Sequence, residues 1–386
     1  MQIHVVEIVA GLDIGSQSGG AELVGIQIAR NLDRGEFKPS IFSMFRYGSK
    51  VEKSWISQLR NEGITVEGLI APSGSLLRDF SIVLRESWNF MSQFRPKIVN
   101  SHSERGDFLN LLIHSIHPSH PRAIRTVHSN KIWKTRPFLG SLLNNLIIPL
   151  TFSAEIAVSE SIRQMLESRP IAKRNHNQTV LCYNGIDASW FLKPSRKNEQ
   201  RPLPNGIPSY RPRIGVIGRL TEQKGHIDLL KSMEFICQKS PVFLLVIGSG
   251  PLEEYLMRQV TQMGLQEYVY FLGNRDDVMD IMPHLDLVVL PSLWEGFPTI
   301  LLEAMSQEIP IIATDLPGTR ELIIPGKTGT LVLPRDPVGL TEAIITQLEN
   351  TTESQAMVRL ARQYAARFTI QNTASCHAEV YKMVSD

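Results

Sequence analysis

Short apolar runs alternate with helix-length segments along the whole chain. In the first half the runs cover residues 3–10, 39–44, 65–69, 98–100, 123–127 and 154–158. Short runs of this kind, separated by helical segments, are typical of buried strands in a parallel sheet that is covered by helices. The pattern predicts an α/β fold, in which ligands bind at the carboxyl ends of the strands.

The second half restarts the same alternation after a polar interruption. Residues 193–212 hold five prolines and no hydrophobic period, which is typical of a linker. A new apolar run follows directly at residues 214–217. We therefore expect two Rossmann-like domains. Their predicted bounds are 1–190 for the N-terminal domain, 191–212 for the linker, 213–365 for the C-terminal domain and 366–386 for a closing helix.

The most informative stretch is PSLWEGFPTILLE, residues 291–303. It follows the apolar run 285–290, which is predicted to be a buried strand. Pro298 suits the first position of a helix, because its missing N–H would be unpaired there anyway. The stretch therefore predicts a strand, a turn and a helix whose free amides would face an anion.

Two glutamates flank this turn. Glu295 lies within it, and Gly296 beside it lets the backbone approach a ligand closely. Thr299 and Glu303 lie four residues apart on one face of the predicted helix. Carboxylates suit sugar hydroxyls and amides suit phosphate, so the stretch is suited to a sugar, a phosphate and a ribose in sequence. The alternative is that both glutamates are solvated surface charges.

Two cations begin the second half. Gly218 and Arg219 follow the run 214–217, and Lys224 opens the next helical segment. Arginine supplies a planar fork and lysine a point charge, so this pair predicts a clamp for a diphosphate. Solvent-facing charges are the alternative.

Gly248 and Gly250 stand between another apolar run and another helical segment. The third glycine of a dinucleotide fingerprint does not follow, which argues against NAD and against a dehydrogenase. We expect this loop to line a nucleotide site.

The first half offers fewer candidates. Gly19 and Gly20 lie between the first predicted strand and its helix, where they would allow close approach, although an ordinary tight turn is the alternative. His102 and His128 follow the fourth and fifth predicted strands, so both are expected at the carboxyl edge of the sheet. His102 would line the acceptor side, with a purely structural histidine as the alternative.

At these motifs the sequence resembles the retaining glycosyltransferases of family four. Their GT-B fold has two Rossmann-like domains with parallel sheets facing a central cleft. The resemblance is carried by a Glu, seven residues and a second Glu, from Glu295 to Glu303, with Gly296, Phe297 and Pro298 between them. It covers nearly the whole chain, and it implies that the closing helix packs back on the first domain.

The resemblance implies a role for each candidate. Arg219 and Lys224 would bind the departing diphosphate. Glu295 and His128 would contact the donor sugar, and Glu303 would bind the ribose. The other implied donor-binding positions are Gly20, Gly248, Gly250, Leu272, Gly273, Gly296, Phe297 and Thr299. The implied acceptor loop contains Gly19.

The resemblance also implies the reaction. A sugar would pass from a nucleotide-sugar donor, UDP- or GDP-linked, to a hydroxyl of a glycan or lipid-linked acceptor, with retention and without a metal or other cofactor. Surface polysaccharide synthesis is the expected setting. Two alternatives stay open: a GT-B epimerase of nucleotide sugars, and a non-catalytic partner subunit that binds nucleotide only. The intact set of Arg219, Lys224, Glu295 and Glu303 argues against the second alternative.

The net charge of the chain and its distribution indicate which classes of partner to expect. The chain of 386 residues has a formal net charge of +2, which predicts no nucleic-acid partner. Residues 1–190 carry 21 Lys and Arg against 16 Asp and Glu, or +5, and the remainder carries 19 against 22, or −3. A basic first half suits an anionic acceptor or a membrane surface.

One segment of the first half favours peripheral membrane contact, with an ordinary solvated helix as the alternative. Its basic and apolar residues are Lys131, Lys134, Arg136, Trp133, Phe138 and Leu139. The most apolar stretch, residues 142–152, is too short to span a bilayer.

Cysteines and histidines suggest neither cross-links nor metals. Cys182, Cys237 and Cys376 are widely separated, so we expect three reduced thiols in a cytoplasmic protein without a secretory signal. The spaced histidines at 114, 117 and 120 are interrupted by prolines, which argues against a metal site. Asp276 and Asp277 are expected as acids at a helix start rather than as metal ligands.

Overall fold

The computed structural model describes residues 2–15, 18–131, 137–171, 178–192, 207, 210–239 and 241–385. The chain forms two compact units. The first unit runs to Asn184 and resumes at Ile370, and the second unit is Gly185–Thr369. Each unit is built around its own parallel sheet.

The first unit contains a seven-stranded sheet in the order β3-β2-β1-β4-β5-β6-β7. All of its strand pairs are parallel. Its strands are β1 Ile3–Val9, β2 Phe37–Phe45, β3 Thr65–Ile70, β4 Ile98–Ser101, β5 Arg122–Val127, β6 Ala154–Ala157 and β7 Gln178–Leu181. The strand order reverses between β1 and β4, and this is the place where open parallel sheets bind their ligands.

Helices cover this first sheet. They are α1 Gly20–Asn31, α2 Lys50–Asn61, α3 Leu76–Phe94, α4 Glu104–Ile116, α5 Pro137–Leu142, α6 Ile148–Thr151 and α7 Glu160–Glu167. A π-helical turn, Leu143–Ile147, joins α5 to α6. Separate apolar clusters fill the core, one of which joins α1, β1 and the end of the chain through Val24, Val5 and Tyr381. The sheet is therefore buried on both faces, as its continuous apolar strands predict.

The second unit repeats this architecture with a six-stranded parallel sheet in the order β10-β9-β8-β11-β12-β13. Its strands are β8 Arg213–Ile217, β9 Phe243–Ile247, β10 Val269–Gly273, β11 Leu287–Leu290, β12 Ile311–Thr314 and β13 Thr330–Val332. Its helices are α8 Ser189–Leu192, α9 His226–Lys239, α10 Glu253–Gln262, α11 Val278–Ile281, α12 Thr299–Ser306, α13 Pro317–Arg320, α14 Pro337–Glu349 and α15 Thr351–Ala365. Here the order reverses between β8 and β11.

The predicted apolar runs agree with the strands to within two residues at each end. The predicted helix start at Pro298 is one residue early, because Pro298 is the N-cap of α12 and Thr299 is its first residue. Most of the predicted linker lies outside the described residues. Of its residues that are described, Phe191 belongs to α8 in the second unit.

The last helix, α16 Ile370–Ser385, belongs to the first unit. Cys376 of this helix forms a disulfide with Cys182, which follows β7 directly. The expectation of three reduced thiols is therefore wrong, and Cys237 is the free thiol. Spacing along the chain could not reveal this pair, because 194 residues separate its members and only the return of α16 brings them together.

The segment α5–α6 has two apolar faces. Leu139, Leu143 and Ile147 pack in a cluster with α4. The opposite face exposes Phe138, Leu142, Leu146 and Leu150. Across the described part of the chain, no helix is both long and apolar enough to cross a bilayer.

Candidate functional site

In the second unit the carboxyl ends of β8 and β11 lie side by side, because these strands pair directly. The loop after β8 carries Arg219 and Lys224, and the loop after β11 carries Glu295. Sequence reasoning predicted all three residues at this edge. The structure brings two of them into contact.

The Lys224 ammonium lies 2.6 Å from Oε1 of Glu295. Ser292 donates its hydroxyl to the same oxygen, also at 2.6 Å. The Glu295 carboxylate is largely buried, and Lys224 keeps about a fifth of its side chain exposed. The ammonium is therefore fixed in place yet still accessible, as a group that binds an anion must be.

Arg219 supplies a second cation. Its Nε is buried and has no hydrogen-bond partner among the described residues. A buried donor without an acceptor costs free energy, so a ligand that supplies an acceptor here, such as a phosphate oxygen, would bind favourably. The stem of Lys224 packs beside the neighbouring glycine, since a β-carbon at Gly218 would lie 3.3 Å from Lys224 Cε.

Glycines let these loops meet backbone to backbone. A β-carbon at Gly225 would lie 2.0 Å from the carbonyl oxygen of Pro291, and φ at Gly225 is +64°. A β-carbon at Gly248 would lie 2.0 Å from the carbonyl oxygen of Gly218, with φ at +135°. The loops after β8, β9 and β11 therefore form one tightly closed surface.

Helix α12 begins at this surface. Its N-cap, Pro298, offers no side-chain hydrogen bond to the first-turn amides. Gly296 packs against Gly318, whose β-carbon would lie 2.3 Å from the Gly296 carbonyl oxygen. Phe297 is buried and stacks on Phe368, so any contact of Phe297 with a ligand would come from its backbone.

Glu303 lies one turn beyond Thr299 on α12, as predicted. Burial raises the pKa of its carboxyl to about 7. Glu303 is half-buried and has no ion pair with any residue that the structure describes. Such a carboxylate suits ribose hydroxyls, which supply the hydrogen bonds that water would otherwise give.

The nucleotide-side loops are also neighbours. Gly248 donates its N–H to the carbonyl oxygen of Gly273 at 2.8 Å, and Leu272 precedes that glycine at the end of β10. A β-carbon at Gly250 would lie 2.6 Å from the carbonyl oxygen of Leu220. The structure thus brings the predicted nucleotide loop beside the predicted diphosphate loop.

In the first unit, Gly19 and Gly20 begin α1. Gly19 is its N-cap and donates its N–H to Glu22 at 2.8 Å. A β-carbon at Gly20 would meet nothing within 4 Å, so packing within the protein does not require glycine there. This open space suits close approach of a ligand.

His102 and His128 lie in contact at the carboxyl edge of the first sheet. Nδ1 of His102 is 3.0 Å from Nε2 of His128. His128 is half-buried, and burial holds its pKa well below the usual value, so its ring is neutral. His102 is 2% exposed, and its other nitrogen binds Glu7, which does not support the expectation that His102 contacts an acceptor directly.

Other candidate groups have structural partners. His114 binds the carbonyl oxygen of Pro121, His117 binds Ser119, and His120 binds the carbonyl oxygen of His114. Asp277 is the N-cap of α11, but its carboxylate pairs with Arg275 rather than with helix amides.

No cluster of three or more histidine, cysteine or carboxylate side chains that could hold a metal occurs within the ranges described above.

Sequence reasoning missed Glu7 and Ser292. Glu7 could have been noticed in the sequence, because a charged residue stands in the middle of the apolar run of β1. A buried charge in such a strand needs a partner, and that requirement points to function or to a polar network. Nothing in the sequence singles out Ser292.

Two family models match the chain, one over each half. The model described as Glycosyltransferase Family 4 matches residues 18–190. The model described as Glycosyl transferases group 1 matches residues 197–364.

Curated proteins show the same likeness. The uncharacterised glycosyltransferase MJ1607 of Methanocaldococcus jannaschii is 28% identical over 60% of this chain and 60% of that protein. EpsF of Bacillus subtilis is 26% identical over 81% of this chain and 79% of that protein. The chain thus spans about 60% of the length of MJ1607.

Among solved structures, the Anabaena protein HepE in complex with UDP and glucose matches with a TM-score of 0.79 at 21% identity. The match covers 99% of this chain and 100% of that chain. This likeness shows the fold.

Proposed function

We propose that this chain, which has the GT-B fold, is a glycosyltransferase of the type that these two models define. It moves a sugar from a nucleotide-sugar donor to an acceptor hydroxyl with retention of configuration. One observation carries the proposal. In the loops that follow the paired strands β8 and β11, Glu295 holds the ammonium of Lys224, and the buried Nε of Arg219 has no hydrogen-bond partner among the described residues.

This arrangement suits a nucleoside diphosphate. Arg219 and Lys224 supply two positive charges, and the uncapped amides at the start of α12 supply further donors. Glu303 takes the ribose, and the loops at Gly248 and Gly273 line the base. Since two side-chain cations neutralise the diphosphate, the proposed reaction uses no metal.

The chemistry follows from the same groups. The bond between the anomeric carbon and the phosphate oxygen breaks, and its electron pair leaves on the diphosphate. The acceptor oxygen bonds to the same face of the anomeric carbon, and its proton passes to the leaving phosphate oxygen. Arg219 and Lys224 stabilise the charge that develops there. Glu295 and His128 contact the sugar, as the resemblance to family four implies.

For the donor we propose a UDP- or GDP-sugar. HepE, which shares the fold, was crystallised with UDP and with UDP-glucose, and this supports testing UDP first.

For the acceptor we propose a glycan or lipid-linked hydroxyl that the enzyme reaches by peripheral contact with a membrane. Support comes from the segment α5–α6, where large apolar side chains spaced four residues apart face outwards. They are Phe138 at 87%, Leu142 at 41%, Leu146 at 39% and Leu150 at 50% exposure. Such an outward stripe on a basic half of the chain suits peripheral contact with an anionic lipid surface. Of the basic residues predicted to accompany it, Lys131 is described and exposed, whereas Lys134 and Arg136 lie outside the described residues.

A thermal-shift panel tests the donor site. UDP, GDP, ADP and their common sugar conjugates are compared on wild type, Lys224→Ala and Glu303→Ala, because a ligand that binds the native state raises the melting temperature. We expect one nucleotide to be selective and its shift to be lost in both variants. Lys231→Ala, which removes an exposed lysine of α9, is the matched control and should keep the shift.

Turnover completes this test. With the selected donor, Lys224→Ala should lose about 100-fold or more in kcat while staying folded, as expected for a group that stabilises transition-state charge. A normal rate in this variant would refute the diphosphate clamp. Interconversion of the free donor without acceptor would instead identify an epimerase. An absence of any nucleotide shift would favour a non-catalytic subunit.

A further inference from the structure

A chain of three polar side chains runs inwards from His128 in the first unit. His102 Nδ1 lies 3.0 Å from His128 Nε2, and His102 Nε2 lies 2.7 Å from Oε2 of Glu7. Glu7 is fully buried in β1, and His102 is 2% exposed. A glutamate in the middle of a sheet is expensive to bury, so its partners must account for it.

Glu7 has hydrogen-bond partners in three directions. The Tyr381 hydroxyl of α16 donates to Oε1 at 2.7 Å, and the Asn100 side-chain amide donates to Oε2 at 3.0 Å. His102 supplies the third contact. The ionised form of a carboxyl group accepts and never donates, so it suits the two donors Tyr381 and Asn100.

An ionised, fully buried carboxylate requires a positive charge nearby. The titratable groups around Glu7 are His102, His128, His377 and Tyr381. Burial lowers the pKa of His377 to about 4 and that of His128 well below its usual value, so both are neutral. Burial raises the pKa of Tyr381, which is therefore also neutral. His102 is the remaining group, and its Nε2 lies 2.7 Å from Oε2 of Glu7 with both side chains fully buried.

In an ion pair with Glu7, His102 has a proton on each nitrogen. Its Nε2–H then donates to Glu7, and its Nδ1–H donates to Nε2 of His128. A neutral His128 that accepts at Nε2 has its own proton on Nδ1. Among the described residues His128 makes no other hydrogen bond, so this Nδ1–H is left for a ligand.

We propose that Glu7 and His102 form an ion pair, and that this pair and Tyr381 are positioning residues that hold His128 in the tautomer with its proton on Nδ1. Through this proton His128 donates a hydrogen bond to an oxygen of the transferred sugar. The role on the sugar rests on the proposed function. The ion pair and the tautomer do not, because they concern contacts within the first unit alone. Sugar oxygens accept such a bond, and a fixed donor needs no reorganisation during the reaction.

Two helices shape this chain of contacts. Tyr381 reaches Glu7 from α16, a separation of 374 residues along the sequence. On the other side, a β-carbon at Gly25 of α1 would lie 2.9 Å from Cδ2 of His102. Glycine at position 25 therefore leaves the room that the His102 ring occupies, and α16 supplies the donor that orients the carboxylate behind it.

The test is nitrogen NMR of the full chain labelled with ¹⁵N-histidine, at neutral pH and without ligand. We expect the wild-type His128 signals to show a protonated Nδ1 and an unprotonated Nε2, and His102 to show both nitrogens protonated. In Glu7→Gln the charge on His102 should be lost, so that Nδ1 of His102 becomes an acceptor and the proton of His128 moves to Nε2. An Nε2–H tautomer in wild type, or the same tautomer in both proteins, would overturn the proposal.

Tyr381→Phe is a second variant in case Glu7→Gln folds poorly, since it removes one hydroxyl from an apolar cluster. We expect it to increase the Nε2–H form of His128. Tyr364→Phe is the matched control, because its hydroxyl donates to a backbone carbonyl of Glu321 in the second unit. The control should leave the His128 tautomer unchanged. A change of equal size in the control would overturn the assignment.

Kinetics then separate a positioning role from a merely structural one. With the selected donor, Glu7→Gln should lower kcat by roughly 10- to 100-fold with little change in KM, which is the range for partners that orient a catalytic group. Adding Glu7→Gln to His128→Ala should lower kcat no further. Additive losses would contradict the proposal. A tautomer change without any transfer by wild type would instead support the positioning chain and refute the proposed function.

Discussion

Glu303 shows how one residue can favour binding at the expense of stability. Burial raises the pKa of its carboxyl to about 7, above the value of about 4.5 expected in the unfolded chain. A carboxyl with a raised folded-state pKa stabilises the fold at low pH, and this stability is lost as the pH rises through the folded-state pKa. Above pH 7 the folded protein thus carries a half-buried charge, to which ribose hydroxyls would donate hydrogen bonds.

We predict that Glu303→Gln makes the ligand-free second unit more stable than wild type at pH 8, by about 1–3 kcal/mol, and about equally stable at pH 4, below the pKa of the unfolded chain. The neutral amide removes the cost of the buried charge. Thermal melts at both pH values measure this. The affinity for nucleotide should change in the opposite direction to stability. In wild type it should increase as the pH rises through 7, and in the variant it should be weak and independent of pH.

Glu267→Gln is the control for this prediction, because Glu267 is exposed in the same unit. Its melting temperature should follow wild type at both pH values. If Glu303→Gln proved less stable than wild type at pH 8, the side chain would have a structural partner and the ribose role would lose its physical basis.

At the scale of elements, the strands were predictable and the segment α5–α6 was not. Strands such as β1 and β11 are buried on both faces, so their composition alone marks them. The π turn of α5–α6 depends instead on distant partners. Asn144 within it accepts a hydrogen bond from Arg125 and binds Arg169 through its backbone carbonyl. Such a turn is specified by tertiary contacts rather than by local propensity.

The π turn affects how the exposed apolar residues of α5–α6 line up along the segment. Residues four apart on an ordinary helix drift by about 40° per step, which would spread an apolar stripe around the axis. The wider π turn opposes this drift. It therefore helps Phe138, Leu142, Leu146 and Leu150 to share one outward face while Leu143 packs inwards.

We predict that the double variant Leu142→Ser/Leu146→Ser loses most of its binding to vesicles that contain anionic lipid, measured by flotation. Each exposed leucine contributes apolar area to the bilayer surface, and the fold should be unaffected because neither side chain is in the core. Leu360→Ser, an exposed leucine of the second unit, is the control and should float like wild type.

Charge reversal of Lys131, Lys134 and Arg136 should also weaken flotation, more strongly at low salt. If wild type stays unbound, or if neither set of changes reduces binding, the membrane proposal is wrong and the apolar stripe must have another partner.

Across the whole molecule, a functional residue could be predicted from the sequence when it lies in a short local motif, but not when its role depends on a partner far along the chain. Lys224 and Glu295 belong to short motifs whose strand, glycine and helix are visible together, so their sites could be predicted. Glu7 and Tyr381 meet only because α16 returns to the first unit at the end of the chain. No local pattern encodes such a contact, and the same return explains why the Cys182–Cys376 pair was missed.

That pair gives a prediction for the molecule as a whole. A maleimide reagent added to the denatured, unreduced protein should label one thiol per chain, Cys237, and all three cysteines after reduction. Because the cross-link closes a loop of 194 residues, Cys376→Ser should lower the free energy of unfolding of the first unit by about 2–5 kcal/mol. Cys237→Ser should leave it unchanged. Three labelled thiols before reduction would show that α16 is held by its packing and hydrogen bonds alone, and the stability of Cys376→Ser should then match that of wild type.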